Sequence, residues 1–397
     1  MSEMEFPEPD VPVDAVDPET LKDQIDAGES VTVLDVRTPS DFEEWRIEGE
    51  NVDVTNVPYW DFLDGVTETA AEQVPEEGPV VVICAKGESS KFVAGVLKEE
   101  FDVEASNLAD GMVGWANLYE SVELDADTEA TVLQYQRPSS GCLSYLVVSD
   151  TGAAVVDPLS AFTDRYEADA AALGAELTHA VDTHIHADHV SGVRDLGEET
   201  SAAPVIPEAA TDRGVTYADD VATVADGESI PVGDAAIEAV HTPGHTTGMT
   251  SYLLDDAVLF TGDGLFVESV ARPDLEKGDD GAPDAAALLY ESLQERVLSQ
   301  NDDVLVAPAH FSDAAESRES GAYVETVEDL ESRMDALSMP ESEFVEYVLS
   351  DMPPRPANYE DIIATNLGQN ERGDDVLEME LGPNNCAASQ DAMTSDD

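Results

Sequence analysis

Residues 183–192 read T-H-I-H-A-D-H-V-S-G, and the fold and chemistry expected of the chain are inferred from this stretch outward. The apolar run before it predicts a strand whose carboxyl end delivers polar side chains into a loop, where imidazole and carboxylate can converge. A lone histidine is usually structural, but all 7 histidines of the chain lie between residues 179 and 310. The stretch therefore predicts a metal site. Its ligand-type residues are His184, His186, Asp188 and His189.

Three later segments repeat the pattern of an apolar strand followed by a polar ligand. The first, A-V-H-T-P-G-H-T-T-G, contains a Pro-Gly turn that exposes His245, while His241 is either a ligand or a structural partner. The second, A-V-L-F-T-G-D-G, ends a buried strand at Asp263, and the third, V-L-V-A-P-A-H, ends at His310. Imidazole and carboxylate without a nearby thiolate suit iron, zinc or manganese, and affinity alone does not choose among these metals.

The composition limits the possible classes of function. A chain of 397 residues is too long for one ordinary core, which predicts two or three domains, and two is the number adopted here. Its 88 acidic and 17 basic residues give a formal net charge of -71, which repels nucleic acid and anionic membranes. Because counter-ions must screen this repulsion and lysine is scarcer than arginine, the composition favours a cytoplasm rich in salt.

Neither membrane insertion nor secretion is expected from the sequence. No apolar run approaches the ~18 to 20 residues needed to cross a bilayer, and the N-terminus lacks the regions of a signal peptide. Cys84, Cys142 and Cys386 are too far apart in the chain for a disulfide framework or a thiolate zinc site. We therefore expect a cytoplasmic protein that acts on small molecules, with no nucleic acid and no membrane as partner.

The first part of the chain alternates between helix and strand patterns. Residues 19–27 predict a helix, and residues 31–36 and 80–84 predict buried strands, which together indicate a small parallel α/β domain. The segment 123–130 is charged and lacks periodicity, so the domain boundary is predicted there. The expected organisation is an extended acidic lead-in at 1–17, a first domain at 18–124, a second at 129–383 and a disordered tail at 384–397.

Cys84 ends an apolar strand and precedes A-K-G-E-S-S and a helical pattern. A loop between the end of a strand and the start of a helix directs backbone N–H groups and the positive end of the helix dipole at the sulfur, and such a site can hold an anion or a persulfide. The alternative is a small buried core residue, which is the commoner role of a free cysteine.

Four segments within residues 15–122 resemble a rhodanese domain: L-D-V-R-T-P-S-D-F-E-E-W-R-I-E-G, N-V-P-Y, C-A-K-G-E-S-S and L-A-D-G-M-V-G-W. The resemblance implies that Cys84 carries a sulfane sulfur as a persulfide. Arg46 stands where the family often has histidine, and Glu88 makes thiosulfate a less suitable substrate on grounds of charge. The resemblance also implies a persulfide cradle built by Ala85, Lys86, Gly87, Glu88, Ser89 and Ser90.

The motifs HxHxDH, HTPGHT, FTGD and PAH, in this order within residues 129 to 375, resemble the metallo-β-lactamase superfamily. This resemblance implies an αββα sandwich with the metal at the edge between two sheets, so the expected fold class is α/β, with a rhodanese-like parallel domain followed by this sandwich. It does not define the reaction, because one fold supports several chemistries.

F-T-G-D-G-L-F-V-E-S-V-A-R-P-D-L and the later L-S-D-M-P-P-R-P-A-N-Y resemble the persulfide dioxygenase branch of the superfamily. In that branch the resemblance implies one Fe(II) per chain held by His184, His245 and Asp263, and a homo-oligomer, either a dimer or a tetramer. Arg272 and Asp274 become candidate substrate-binding residues, with Arg272 paired to the acidic end of the thiol carrier, although an ordinary salt bridge is the alternative. The groups expected to orient ligands are His186, Asp188, His189 and His310.

A second family with the same motifs is glyoxalase II, a thioester hydrolase with two Zn²⁺ ions that activate water. Its ligands would be the three residues above together with His186, Asp188, His189 and His310, and all are present. The fused rhodanese domain favours the dioxygenase, because a domain that moves sulfane sulfur suits an enzyme that oxidises a thiol persulfide with O₂ to sulfite. A third hypothesis makes the rhodanese domain only a sulfur carrier or docking module.

Two cysteines and two further segments complete the predictions. Cys142 is expected to pack near the start of a strand, and no role is assigned to Cys386. Residues 285–298 and 322–336 each show the pattern of an amphipathic helix that covers a sheet face.

Overall fold

The computed structural model describes residues 6–63, 65–75, 78–312, 314–350, 352–356, 358–370 and 379–380. These residues form two compact units, the first extending to Leu118 and the second beginning at Tyr119. The expected disordered tail at 384–397 and the role of Cys386 lie outside the described residues.

The first unit is a parallel α/β domain, as the sequence predicts. Its five-stranded sheet has the order β1-β5-β4-β2-β3, and every pairing is parallel. In chain order the elements are β1 (Ala15–Val16), α1 (Pro18–Asp26), β2 (Val31–Asp35), α2 (Pro39–Glu44), β3 (Val52–Asn56), α3 (Glu68–Gln73), β4 (Val80–Ile83), α4 (Glu88–Glu100), β5 (Ala105–Leu108) and α5 (Gly111–Ala116).

The central strand β4 explains why this sheet forms. Its four residues are all buried, as in a parallel strand covered on both faces. Val80 and Val82 pack in one core cluster with Leu97 of α4, while Val81 packs in another with Leu21 of α1. Because successive side chains of a strand point to opposite faces of the sheet, the one apolar run of β4 packs against helices on both faces.

The lead-in is partly ordered by contacts that its sequence does not indicate. β1 pairs with β5, with Ala15 opposite Asn107. Lys98 Nζ of α4 donates to the main-chain oxygen of Pro12 at 2.7 Å. A strand of two residues is too short to show the alternation of apolar and polar residues that predicts a strand. It is therefore recognised only from its pairing with β5 in the structure.

The second unit contains two sheets, of orders β12-β11-β10-β9-β8-β7-β6 and β13-β14-β15-β16-β17-β18. The strands are β6 (Glu120–Glu123), β7 (Thr131–Arg137), β8 (Cys142–Ser149), β9 (Gly152–Val156), β10 (Glu176–Val181), β11 (Ala203–Pro207), β12 (Ala222–Val224), β13 (Ser229–Val232), β14 (Ala235–His241), β15 (Thr250–Leu254), β16 (Val258–Gly262), β17 (Leu305–Pro308) and β18 (Glu325–Thr326). The helices are α6 (Thr163–Ala172), α7 (Val193–Glu199), α8 (Gly278–Ser292), α9 (Val327–Arg333), α10 (Glu341–Ser350) and α11 (Tyr359–Asn366).

The largest hydrophobic cluster lies between these two sheets, where Tyr145 of β8 and Phe260 of β16 have ring centroids 4.9 Å apart. A cluster that includes Tyr166 of α6 covers the outer face of the first sheet. Another, with Leu289 of α8 and Phe344 of α10, covers the outer face of the second. Helices on both outer faces of two packed sheets confirm the predicted αββα sandwich.

The domain boundary is predicted at 123–130, and residues 124–130 connect β6 to β7 within one antiparallel pair, in which Glu123 lies opposite Leu133. One segment differs from its predicted structure. The pattern at 322–336 contains β18 and then the shorter helix α9, because Thr326 Oγ1 accepts a hydrogen bond from Asp329 N and so caps the helix there.

Candidate metal centre

The predicted ligands follow four strands of the second unit. Residues 183–192, here called the ligand loop, come shortly after β10, and His245 lies in the loop after β14. Asp263 directly follows β16, and His310 lies two residues after β17. Because these strand ends meet at one edge of the sandwich, residues from distant parts of the sequence lie close together.

Three buried side chains form the closest match to a metal site. His184 Nε2 and His245 Nε2 are each 3.6 Å from Asp263 Oδ2. None of these three atoms has a hydrogen-bond partner among the described residues. Ligand atoms about 2.1 Å from one ion lie about 3.0 to 3.6 Å apart, so the spacing fits a shared metal. Buried polar atoms in native proteins normally have a partner, and one shared ion would supply it for all three.

The hydrogen bonds behind the two histidines leave Nε2 free to bind a metal. His245 Nδ1 donates to the main-chain oxygen of Arg272 at 2.9 Å, and a carbonyl oxygen can only accept. His184 Nδ1 lies 3.0 Å from Thr183 Oγ1, whose own hydrogen goes to Asp157 Oδ2. Both imidazoles therefore carry their hydrogen on Nδ1 and present the Nε2 lone pair.

The protonation states also suit metal binding. Burial, and then the neighbouring His186, lower the pKa of His184 well below its ordinary value, and burial lowers the pKa of His245. Burial alone would raise the pKa of Asp263, but His310 holds it below its usual range. Two neutral imidazoles and one carboxylate are the forms that bind a divalent metal.

Gly262, immediately before Asp263, brings the strands close enough for this arrangement. Its φ is 53°, in the left-handed region that favours glycine, and a Cβ here would lie 2.4 Å from Thr183 Oγ1. The T-G-D motif therefore requires a glycine for both reasons.

A second group of buried side chains lies beside the first, and hydrogen bonds join its members to one another. His310 Nδ1 is 2.5 Å from Asp263 Oδ1, and His310 Nε2 is 2.7 Å from Asp188 Oδ2. Although burial would lower the pKa of His310, the two carboxylates raise it well above the ordinary value. Cys142 Sγ donates to Asp188 Oδ2 at 3.1 Å, and His189 Nδ1 lies 2.9 Å from the same oxygen. This group could itself hold an ion, because one candidate ligand atom of each residue lies within 4.8 Å of the others. Its members are Cys142, Asp188, His189 and His310.

His186 belongs to a third buried group. Its Nε2 lies 3.0 Å from Asp157 Oδ1, and Asp182 completes the group. Asp157 also accepts a hydrogen bond from Thr183 N at 2.7 Å. Nδ1 of His186 and Nε2 of His189 have no hydrogen-bond partner in the part of the chain described, so they remain possible ligand atoms for an additional ion.

Arg272 and Asp274, the predicted substrate-binding residues, form a buried ion pair. The side chain of Arg272 is directed at Asp274 and at the main-chain oxygen of Pro354, and the residue is only 1% exposed. Arg355, which is 32% exposed at its side chain, also binds Asp274, with Nε 2.9 Å from Oδ2. Beside this pair lies a pocket of about 380 Å³, to which Tyr359 and Gln369 also contribute.

The loop that follows β4 in the first unit begins with Cys84, which is 4% exposed. Gly87 N donates to Cys84 Sγ at 3.0 Å, and Ser90 Oγ lies 3.0 Å from the same sulfur. Within the predicted cradle, these two residues make the hydrogen bonds to sulfur that the structure describes. Lys86, Gly87 and Glu88 line a groove of about 800 Å³ beside the loop.

The L-A-D-G-M-V-G-W segment packs on the Cys84 loop. Met112 N donates to the main-chain oxygen of Cys84 at 2.8 Å, and Val113 N donates to that of Ala85 at 3.1 Å. Gly111 has a φ of 58°, and a Cβ at this position would lie 2.1 Å from the oxygen of Cys84. The N-terminus of α5 therefore supports the loop from behind.

Several residues that contact the candidate ligands were not predicted from the sequence. Asp157 directly follows the apolar strand β9, the same signal that identified Asp263, and could have been found. Cys142 begins β8, as the sequence predicts, and its contact with Asp188 agrees with the place near the pocket that the family resemblance implies. Asn366 and Glu380 contact the ligand loop from far along the chain, and no local signal marks them.

In the described residues, no helix is long and apolar enough to span a membrane.

Comparison with known proteins supports both domain assignments. The family model of the metallo-β-lactamase superfamily matches residues 138–310, and that of the rhodanese-like domain matches residues 17–118. Human mitochondrial persulfide dioxygenase ETHE1 is 30% identical over 216 residues, which cover 54% of this chain and 78% of the human protein.

Two further relatives extend the comparison. The crystal structure of ETHE1 from Myxococcus xanthus aligns with a TM-score of 0.51 at 29% identity, over 60% of this chain and 98% of that one. A hydroxyacylglutathione hydrolase of Brucella ovis is 34% identical over 165 residues, which cover 39% of this chain and 59% of that protein. The chain belongs to the metallo-β-lactamase superfamily, in the branch that includes persulfide dioxygenase ETHE1, and carries an N-terminal rhodanese-like domain.

Proposed function

We propose that this protein is a persulfide dioxygenase that oxidises a low-molecular-weight thiol persulfide at one Fe(II) per chain. The balanced reaction is RSSH + O₂ + H₂O giving RSH and H₂SO₃. The observation that carries the proposal is the convergence of three unpaired atoms, His184 Nε2, His245 Nε2 and Asp263 Oδ2, in a buried site. Two histidines and one carboxylate form the facial triad typical of non-haem iron oxygenases.

Such a triad leaves open positions, at which bound Fe(II) would supply the capacity to bind both a sulfur ligand and dioxygen. The protein's own contribution is orientation. The Arg272 carbonyl holds the ring of His245, and Thr183 with Asp157 holds that of His184. His310 binds the second oxygen of the ligand Asp263, so that Oδ2 faces the site.

The hydrogen bonds of the second group support a single ion. A second metal of the glyoxalase II type would need Asp188 and His310, which bind each other at 2.7 Å. The same oxygen of Asp188 is approached by Cys142 and His189. A second ion at Asp188 and His310 would have to displace these hydrogen bonds, although His186 Nδ1 and His189 Nε2 have no hydrogen-bond partner among the described residues. All three atoms of the first triad are open to an ion without any such displacement.

The alternative is a glyoxalase II-like hydrolase with two Zn²⁺ ions and a rhodanese module that only carries sulfur or docks a partner. All seven ligand-type residues are present, and the Brucella hydrolase is 34% identical over its aligned region. The rhodanese-like domain weighs against this alternative, because sulfane sulfur chemistry is related to persulfide oxidation and unrelated to thioester hydrolysis.

Sulfur transfer in the first domain would take place at Cys84. Its thiolate would attack the outer sulfur of a persulfide, so that the S–S bond breaks, the carrier leaves as a thiolate and Cys84 holds the sulfane sulfur. A thiolate or sulfite would then attack the outer sulfur of the Cys84 persulfide, so that the S–S bond breaks, the acceptor takes the sulfur and Cys84 leaves as a thiolate. Gly87 N and Ser90 Oγ lie at the sulfur to stabilise its negative charge.

The test combines metal analysis of protein purified without added metal with oxygen uptake on glutathione persulfide. About one iron per chain and rapid oxygen consumption are the expected results. Two zinc ions per chain, no oxygen uptake and hydrolysis of S-lactoylglutathione would overturn the proposal. Cys84→Ser should retain oxygen uptake but lose sulfurtransferase activity, whereas unchanged transfer would remove Cys84 from the mechanism.

A further inference from the structure

The main chain of the ligand loop is held from outside by one buried amide. Asn366, at the end of α11 and 3% exposed, donates from Nδ2 to the main-chain oxygens of His186 at 3.0 Å and His189 at 2.8 Å. Its Oδ1 accepts from Ser191 N at 2.9 Å. Because the two carbonyls can only accept, the orientation of the amide is fixed. Both of its hydrogens and its oxygen therefore bind one loop.

A buried carboxylate holds the residue between these contacts. Glu380 Oε1 accepts from Val190 N at 2.7 Å, and its Oε2 accepts from Arg137 Nη1 at 2.6 Å. The side chains of Glu380 and Arg137 are both fully buried. A buried carboxylate is tolerated when it is paired and hydrogen-bonded, as it is here.

The end of α11 is itself fixed to the second unit. Tyr217 Oη donates to the main-chain oxygen of Asn366 at 2.7 Å, and the guanidinium of Arg194 lies 4.3 Å from the Tyr217 ring centroid. Arg194 Nη2 also donates to the main-chain oxygen of Thr365 at 2.7 Å. Asn366 is thus a rigid support. It lies, with Glu380, beyond residue 310, where the superfamily match ends.

Two side-chain hydrogen bonds of His310 connect the ligand loop to the proposed metal site. Asp188, within the held segment, receives His310 Nε2 at 2.7 Å. His310 Nδ1 in turn lies 2.5 Å from Oδ1 of Asp263, whose Oδ2 is a proposed ligand atom. A shift of the loop would therefore move Asp188 away from His310 and release one side of the Asp263 carboxylate.

We propose that Asn366 and Glu380 are positioning residues of the metal centre, which hold the ligand loop so that Asp188 and His310 can orient Asp263. This inference rests on the proposed metal triad of His184, His245 and Asp263. It extends the functional site to the C-terminal region of the chain, outside the motifs that define the superfamily.

The first test is Asn366→Asp, which keeps the shape and the acceptor for Ser191 but replaces two donors by an oxygen that faces two carbonyls. We expect Fe(II), measured by competition with a chelator, to bind about 10 to 100-fold more weakly. The matched control is Asn370→Asp, the same chemical change on an exposed side chain, which should leave the dissociation constant unchanged. Circular dichroism at the assay temperature verifies that both variants are folded.

The second test asks whether the effect passes through His310. In the His310→Gln background, Asn366→Asp should weaken Fe(II) binding by a clearly smaller factor than in the wild type, as coupled residues require. Glu380→Gln, which keeps an acceptor for Val190 but loses the charge that pairs with Arg137, should also weaken binding.

The outcomes separate this inference from the proposed function. If the wild type binds no iron, the proposed function fails. If the wild type binds iron but Asn366→Asp lowers only the melting temperature of the metal-free protein and leaves the iron dissociation constant unchanged, the residue is merely structural and the inference is overturned. Full additivity with His310→Gln would overturn the proposed path to Asp263.

Discussion

Arg272 and Asp274 form a two-point ion pair, with Nε 2.7 Å from Oδ1 and Nη2 3.1 Å from Oδ2. Both residues are buried, and the main-chain oxygen of Arg272 also accepts a hydrogen bond from the proposed ligand His245. The sequence resemblance implied that Arg272 binds the carrier thiol. The ion pair assigns its guanidinium a second possible role, which is to hold the loop that supports His245.

Replacing Arg272 distinguishes these two roles. We expect Arg272→Met to lower the free energy of unfolding by about 3 kcal/mol, because it removes one partner of a buried ion pair. Arg355→Met makes the same change in the partly exposed partner of Asp274 and should cost less than about 1 kcal/mol. Urea unfolding measures both. A large rise in KM with unchanged stability of Arg272→Met would instead support substrate binding.

Ser90 should contribute to sulfur transfer at Cys84. Its hydroxyl lies 3.0 Å from the sulfur and 2.5 Å from Asn107 Oδ1, so its one hydrogen would turn from the amide oxygen to the sulfur when the sulfur is charged. Removal of this donor should slow turnover of a persulfide about 10 to 100-fold, since a hydrogen bond to a charged group contributes about 1.5–3 kcal/mol. We expect Ser90→Ala to show this loss in a sulfurtransferase assay. Ser89→Ala, at the neighbouring buried serine, is the matched control, and equal losses in both variants would contradict a specific role.

Stability should fall at alkaline pH because of a buried tyrosine. Burial raises the pKa of Tyr166 to about 12, whereas the unfolded side chain titrates near about 10. The folded state thus keeps a proton that the unfolded state loses, so the stabilisation is full below about pH 10 and disappears as the pH rises to about 12.

This single group should lower the free energy of unfolding by about 1.4 kcal/mol for each pH unit in that window. Urea unfolding across the window provides the measurement. Tyr166→Phe cannot ionise at this position and should show a shallower slope. Burial also raises the pKa of several other tyrosines, which will keep part of the dependence; they are Tyr119, Tyr135, Tyr145, Tyr217 and Tyr252. An identical slope in the variant would contradict the assignment.

Salt should stabilise the protein strongly. A formal net charge of -71 destabilises a compact chain through self-repulsion. Between about 0.01 M and 1 M salt the Debye length falls from about 30 Å to about 3 Å, so most of this repulsion is screened. We expect the melting temperature, measured by calorimetry, to rise steeply over this range. A constant or falling melting temperature would show that charge repulsion does not limit stability.

Much of the fold was accessible from the sequence because its signals are local. Apolar runs such as those of β4 and β16 predict buried strands, and the residue that follows each, Cys84 or Asp263, is a functional candidate. The helix pattern at 322–336 was only partly right, since apolar periodicity alone does not show that Thr326 would cap a shorter helix. The edge strand β1 carries too short a signal to be read at all.

The sequence alone shows which strand ends carry imidazole, carboxylate or thiol groups, and in what order. The three-dimensional structure is needed to show which atoms have no hydrogen-bond partner among the described residues, at His184, His245 and Asp263, and which bind each other, as those of His310 and Asp188 do. The support from Asn366, 180 residues from His186, was likewise invisible in the sequence. The physical reason is that a hydrogen bond depends on distance and direction in space, and no local pattern records contacts made across such separations.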